Sequence, residues 1–232
     1  MEQKQKKLTI TNWIQIFLFL IFFPMLPLLL SGRWDWWEAW VYALACMVNF
    51  LASRLLIARK NPDLLAERGK FMQHENTQRW DKYLAPLVGL GGNLIPLVMG
   101  LEAYYGQAHV FNLFPKIIAI ILFLGGFAWS SWALIENRFF SGMVRLQSDR
   151  GHQVISSGPY AFMRHPGYAG ALLVYLVTPI FMDSLWAYLP AGLLTVVLVI
   201  RTHLEDNFLQ AQLPGYREYT QKVRYRLIPG IW

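Results

Sequence analysis

Two groups of polar side chains stand at the ends of one long apolar run. Gly158-Pro159-Tyr160-Ala161-Phe162-Met163-Arg164-His165-Pro166-Gly167-Tyr168 precedes the run, and Arg201-Thr202-His203-Leu204-Glu205-Asp206 closes it. Ionisable groups this near lipid are costly unless they pair or serve a site. Arg201 and Glu205 are four residues apart and share a helix face, so a guanidinium and a carboxylate stand side by side. Pro166 drives His165 out of the helical region and can itself open the next helix. The positive end of that helix, near Tyr168, suits an anionic group. Gly158-Pro159 makes a turn, and Gly167 allows close backbone approach. Such groups recognise charged parts of a ligand. They do not suit a metal, because His152, His165 and His203 form no H-x-x-x-H pair on a helix. They do not suit a serine hydrolase either, because Ser156 and Ser157 have no nucleophile-elbow context.

The elements that must carry these residues are membrane helices. The 232 residues are 55% hydrophobic and 15% charged, with mean hydropathy +0.31. A soluble domain carries about 25% charged residues. Apolar runs lie at roughly 13–31, 37–58, 83–101, 115–135, 168–182 and 185–200, and a helical crossing needs about 17–25 residues. The first four meet that length. The last two are shorter and flank Asp183-Ser184, which reads as a tight helical hairpin. The first run is interrupted by Pro24 and Pro27 and lacks a small-residue cleavage site, so it is expected to be retained as a span.

Of the 21 Lys and Arg, only Arg33 and Lys116 fall between the spans on one side. The rest, beginning with Lys4, Lys6 and Lys7, fall on the other. The positive-inside rule then puts both termini and the large loops in the cytoplasm. The net charge of +7 is thus a topology signal with some attraction for anionic lipids, not a nucleic-acid surface. Cys46 is the single cysteine, which excludes an internal disulfide and a cysteine metal cluster. Trp34, Trp36, Trp37 and Trp40 read as interfacial anchors. Asn61-Pro62-Asp63 can start a short helix, and Glu67-Arg68-Gly69-Lys70 reads as its solvated end. Gly89, Gly91, Gly92, Gly125 and Gly126 read as helix-packing positions, without dinucleotide-fingerprint spacing. Leu213-Pro214-Gly215 breaks the last helix, and the short amphipathic segment after it is expected on the membrane surface. The class predicted is all-α: a polytopic transmembrane helical protein of five to six spans, with its site on cytoplasmic loops and a C-terminal tail.

Within 136–229 the order of motifs resembles the isoprenylcysteine carboxyl methyltransferase family of integral-membrane enzymes and the related phospholipid methyltransferases. The resemblance rests on Gly151-His152, Gly158-Pro159-Tyr160, Arg164-His165-Pro166-x-Tyr168-x-Gly170, Arg201-x-x-x-Glu205-Asp206-x-x-Leu209, and Gly215-x-x-x-Tyr219 before Val223-Arg224. It implies one membrane domain with N-terminal transmembrane helices over 1–135 and a methyltransferase-like region over 136–232. It implies S-adenosylmethionine as cofactor, held by His152, Gln153, Val154, Ile155, Tyr160, His165, Pro166, Gly167, Tyr168 and Glu205. Arg201 would face the acceptor, a lipophilic or amphiphilic small molecule from the bilayer that offers a carboxylate, thiol or amine. Arg145 sits where the family also reaches the cofactor. Asp206 stands where the family usually has a second glutamate, which leaves Glu205 as the cofactor carboxylate. A membrane reductase of the steroid reductase type, dependent on NADPH, is the alternative enzyme. A transporter or scaffold is the non-enzymatic one.

Overall fold

The apolar runs become helices, and proline and glycine decide where they bend or stop. The computed structural model describes residues 10–71, 73–74, 76–106 and 111–232. Lys4, Lys6 and Lys7 lie outside the described residues. Helix α1 (Ile10–Phe17) passes through a π-helical turn (Leu18–Phe22) into α2 (Phe23–Ser31). The widened turn sits directly before Pro24 and Pro27, each of which removes a helical donor. Gly32, at φ 66°, closes α2 in the left-handed conformation that glycine tolerates. Helix α3 (Trp37–Lys60) leads into α4 (Pro62–Gly69). Asn61 does not cap α4 with its side chain; its Nδ2 donates instead to Ile135 O at 2.7 Å. The third apolar run is two helices, α5 (Asp81–Gly91) and α6 (Leu94–Tyr104). The joint lies at Gly92-Asn93, where Asn93 Nδ2 donates to Leu90 O at 3.0 Å. Then follow α7 (Leu113–Glu136), 3₁₀ turns at Ser148–Arg150 and Gly158–Ala161, α8 (Pro166–Phe181), α9 (Tyr188–Gln212) and α10 (Tyr216–Lys222).

Trp37–Lys60, Asp81–Tyr104, Leu113–Glu136 and Tyr188–Gln212 are long and apolar enough to cross a membrane, whereas Leu18–Ser31 and Pro166–Phe181 are apolar but shorter. The first apolar run is nevertheless helical without a gap from Ile10 to Ser31, through the π turn. The last helix runs past the end of its apolar stretch at residue 200 and spans 25 residues in all, Tyr188–Gln212, ending where Leu213-Pro214-Gly215 breaks it. Its polar half stays helical because Arg201 and Asp206 find buried partners of opposite charge, described below.

A buried core joins α2, α3, α6, α7, α8 and α9 through residues that include Leu28, Tyr42, Met99, Phe123, Phe181 and Leu194. Leu44, Val48, Ile121, Leu124, Leu193 and Val196 are exposed, as a face turned to lipid would be. At one end Lys116 Nζ lies 2.9 Å from Glu38 Oε1 and 3.0 Å from Asp183 Oδ2. At the other end sits the site.

The contact that aligns the site is the crossing of α7 and α8. A Cβ on Gly170 would lie 2.5 Å from Gly126 O and would run into Ser130 Oγ. Ser130 Oγ itself donates to Gly167 O at 3.0 Å. Gly125, by contrast, faces open space, so of that glycine pair only Gly126 serves the packing. Gly170→Ala should therefore cost about 2–3 kcal/mol through overpacking, read as a melting temperature lower by roughly 5–10 °C in detergent. Gly125→Ala should leave it unchanged or slightly higher. Equal melting of the two variants would contradict the close approach.

Candidate functional site

Between the end of α7, the start of α8, the end of α9 and α10 lies a cleft of about 760 Å³, its open mouth included. The irregular segment 137–155 forms one wall, with Phe139, Phe140, Val154 and Ile155, and Leu209 and Leu213 of α9 and the turn after it form another. Tyr160, Tyr216 and Tyr219 complete it. Tyr219 Oη donates to Tyr160 O at 2.6 Å, and Asn137 Nδ2 donates to Tyr160 Oη at 3.2 Å. Burial drives the phenols of all three tyrosines upward, so they stay neutral.

The floor of the cleft is set by α8. His165, at φ −125°, is the last residue before the helix, and Pro166 opens it. Tyr168 N–H turns back to His165 O at 3.1 Å, which leaves Gly167, a residue lining the cleft, with a helix-start amide unpaired among the described residues. The Phe140 ring packs against Gly167, where a Cβ would meet it at 2.6 Å. The rings of His165 and Tyr168 stack at 5.8 Å and 8°. Tyr168 Oη donates to Glu205 Oε2 at 2.6 Å. The turn entering α8 and the acidic segment of α9 therefore meet.

Asp206 is fully buried and accepts from both arginines that flank it. Arg164 donates through Nε at 2.8 Å and Nη2 at 3.0 Å, and Arg226 Nε donates at 2.9 Å. Gln210 Nε2 (2.8 Å) and Tyr216 Oη (3.0 Å) add to this, and His165 Nε2 lies 3.3 Å away. The backbone N–H groups of Arg164 and His165 donate to the carbonyls of Tyr225 and Arg226, each at 2.9 Å. The C-terminal segment is thus clamped over the site. This corrects the expectation that it lies on the membrane surface: Tyr216 and Tyr219 are buried in the cleft wall, where Asp206 and the carbonyl of Tyr160 accept from their hydroxyls.

Arg201 lies in the wall beside Glu205 but bonds elsewhere. Its Nε donates to Asp81 Oδ1 at 2.7 Å, and its Nη2 donates to Asp81 Oδ2 and Gly142 O, both at 3.1 Å. Its guanidinium sits 5.3 Å from the Tyr168 ring centre. Among the described residues Nη1 has no hydrogen-bond partner. Arg145 is likewise occupied, by Glu67 at 2.8 Å and Asp149 at 2.9 Å. Glu67 is 5% exposed, so of the expected solvated helix end only Gly69 and Lys70 are exposed; the pairing with Arg145 draws Glu67 inward.

His152, Gln153, Val154, Ile155, Tyr160, His165, Gly167, Tyr168, Arg201 and Glu205 all line the cleft. Pro166 does not; it is buried as the first residue of α8. Sequence reasoning missed Asp81 of α5 and Glu67 of α4, which lie far from 136–232 in the chain and match its arginines only in space. It also missed Tyr216 and Asn137. An acidic residue at the very start of a span, as Asp81 is, was the available signal.

His152 packs on the Phe139 ring at 4.7 Å and its Nδ1 accepts from Gln147 N–H at 3.3 Å. Burial, and after it the charges of Arg145 and Arg150, push it down from 6.5 to about 4. The unfolded chain therefore binds a proton near pH 6.5 that the folded chain refuses. Stability is whole above that pH and falls between about 6.5 and 4. Allowing for its partial exposure, the effect is about 1–2 kcal/mol. The melting temperature should drop on acidification from pH 7.5 to 4.5, and His152→Gln should lessen that drop by a few degrees. An identical drop in both proteins would contradict this.

Residues 114–214 match the sequence model of the phospholipid methyltransferase family. A probable protein-S-isoprenylcysteine O-methyltransferase of Oryza sativa subsp. indica is 29% identical over 119 residues, 47% of this chain and 59% of that protein. Protein-S-isoprenylcysteine O-methyltransferase B of Arabidopsis thaliana is 24% identical over 111 residues, 44% of this chain and 53% of that one. Over residues 114–214 this chain is similar to the phospholipid methyltransferase family. A delta(14)-sterol reductase of Mus musculus is 30% identical over 95 residues, 40% of this chain and 23% of that protein. The chain thus covers less than two thirds of each of these relatives. The methyltransferase-family match takes in α7, the cleft segment, α8 and α9, and leaves α1 to α6 outside it.

Proposed function

We propose that this protein transfers a methyl group from S-adenosylmethionine to a lipophilic acceptor that enters from the bilayer. The observation that carries this reading is the charge balance of the cleft. Arg145, Arg164 and Arg201 all line it, and each is bound to a carboxylate: Glu67, Asp206 and Asp81. Glu205 is the one carboxylate among the described residues that line the cleft. It accepts only from Tyr168, and no cation lies within 4 Å of it among the described residues. A cleft built this way suits a cationic ligand.

S-adenosylmethionine, when bound, supplies an electrophilic methyl carbon on a sulfonium, which an acceptor lone pair displaces in line. Glu205 is suited to its α-ammonium group. The Gly167 amide at the head of α8 is suited to its carboxylate. Tyr160, Phe139 and Phe140, with Val154, Ile155 and Leu209, give apolar and aromatic surface for adenine and sulfonium. Arg201, held rigid by Asp81, presents Nη1 to an anionic acceptor or headgroup and orients it. Placement of this kind contributes most where the nucleophile is already a carboxylate or thiolate, because no proton need be removed. The basic loops point to a cytoplasmic cleft, with both termini on that side.

The likeness to a sterol reductase favours a second reading, in which the cleft takes NADPH. The bound state of its arginines weighs against it. A dinucleotide pyrophosphate would meet guanidinium groups already neutralised and, in Glu205, a repelling carboxylate.

Arg201→Lys should keep cofactor binding and lose turnover at least tenfold, because an ammonium cannot hold Asp81 and an acceptor in one plane. Incubating purified protein with methyl-labelled S-adenosylmethionine and a total lipid extract, then weighing the products, tests the reading. A labelled lipid supports it. Consumption of NADPH with a sterol extract, with no label transferred, would overturn it.

A further inference from the structure

A second cavity, of about 870 Å³ with its opening included, is lined mainly by residues before the part matched by the methyltransferase family, with Phe127 and Leu134 of α7 inside it. It is bounded by the π turn and α2, the middle and end of α3, the joint between α5 and α6, and α7. Phe19, Phe23, Phe50, Phe127 and Leu134 give it an apolar wall, while Asn49, Ser53 and Asn93 line it beside Arg54 and Arg68. Neither arginine has a carboxylate within 4 Å among the described residues. Arg54 lies six residues before the end of α3, with its guanidinium 5.0 Å from the Phe50 ring centre. Arg68 Nη1 donates to Phe140 O at 3.2 Å, while its Nε is fully enclosed and has no hydrogen-bond partner among the described residues. Burial, and after it the like charge of Arg54, pulls the Arg68 guanidinium down to about 10. Every arginine of the cleft has its carboxylate, so these two stand apart. Unpaired guanidinium groups in apolar surroundings are costly, and an unsatisfied buried donor calls for a partner. The π turn that carries Phe19 is a local distortion of the kind found beside binding sites.

We propose that this cavity binds an anionic amphiphile, with a carboxylate or phosphate head between Arg54 and Arg68 and a hydrocarbon tail against the phenylalanines. Guanidinium forks match either head in shape. The head would lie near the cytoplasmic end of α3, where lipid headgroups also lie, and the tail would run toward the bilayer centre. Phe140, whose carbonyl Arg68 holds, lines the reaction cleft on its other side. The proposal does not depend on methyl transfer.

Native mass spectrometry of the whole protein in neutral detergent tests it, with dodecyl phosphate, dodecanoate, dodecanol and inorganic phosphate as probes. Both anionic probes should be retained at least tenfold more than dodecanol. Excess inorganic phosphate should not displace them, because it lacks the tail. Arg68→Gln and Arg54→Gln should each lower retention at least fivefold, and Glu205→Gln should leave it unchanged. Equal retention of dodecanol would overturn the proposal, as would full retention by both arginine variants. Displacement by inorganic phosphate alone would overturn the amphiphile in favour of a simple anion site. Should the arginine variants fail to fold, the comparison of dodecyl phosphate with dodecanol on the native protein decides.

Discussion

Asp206→Ala is expected to abolish accumulation of the folded protein. The carboxylate is 0% exposed and gathers Arg164 from before α8, Arg226 from the C-terminal segment, Tyr216 from α10 and Gln210 from its own helix. Removing it leaves two guanidinium groups buried or half-buried without a counter-charge. Loss of one partner from a buried ion pair costs about 3–5 kcal/mol. That is a large share of the roughly 5–15 kcal/mol that holds a domain together. Asp206→Asn keeps the shape and some hydrogen bonds, so it should fall between wild type and alanine. Yield of monodisperse protein in detergent, followed by thermal melting, measures the series. An alanine variant that melts like wild type would show that the C-terminal segment is held by something other than this hub.

Glu205→Gln should have the opposite profile. The amide oxygen can still accept from Tyr168 Oη, so stability should change by less than about 1 kcal/mol. What disappears is the cleft's uncompensated negative charge. Leaving a desolvated ammonium without its carboxylate costs about 2–4 kcal/mol, or roughly 30- to 700-fold in affinity. Filter binding of labelled S-adenosylmethionine to wild type and variant reads this directly. A variant that melts normally and binds normally would remove Glu205 from the cofactor's contacts.

The helices were legible because lipid leaves few choices: apolar runs of crossing length must be helical. Their ends were less so. Residues 201–212 are polar, yet they continue α9 to the Pro214-Gly215 break, as the Arg201 and Glu205 spacing implies, because Asp81 and Arg164 neutralise them. The cleft was legible along α8, where Pro166 and Gly167 fix the backbone and place His165 and Tyr168 locally. Glu205 came with Arg201 on one helix face. The charge partners Asp81 and Glu67 were not legible, since both lie far along the chain from the arginines they hold. The tail misled for the same reason: Tyr216 and Tyr219 read as an amphipathic surface until Asp206 and Tyr160 supply their hydrogen bonds.

The central claim is that the cleft selects a cation through Glu205 and rejects a polyanion because its arginines are already neutralised. Calorimetric titration of the detergent-solubilised protein, with S-adenosylmethionine in one run and NADPH in the other, tests this most directly. Saturable heat with S-adenosylmethionine and none with NADPH is the predicted result. Saturable heat with NADPH alone would contradict it.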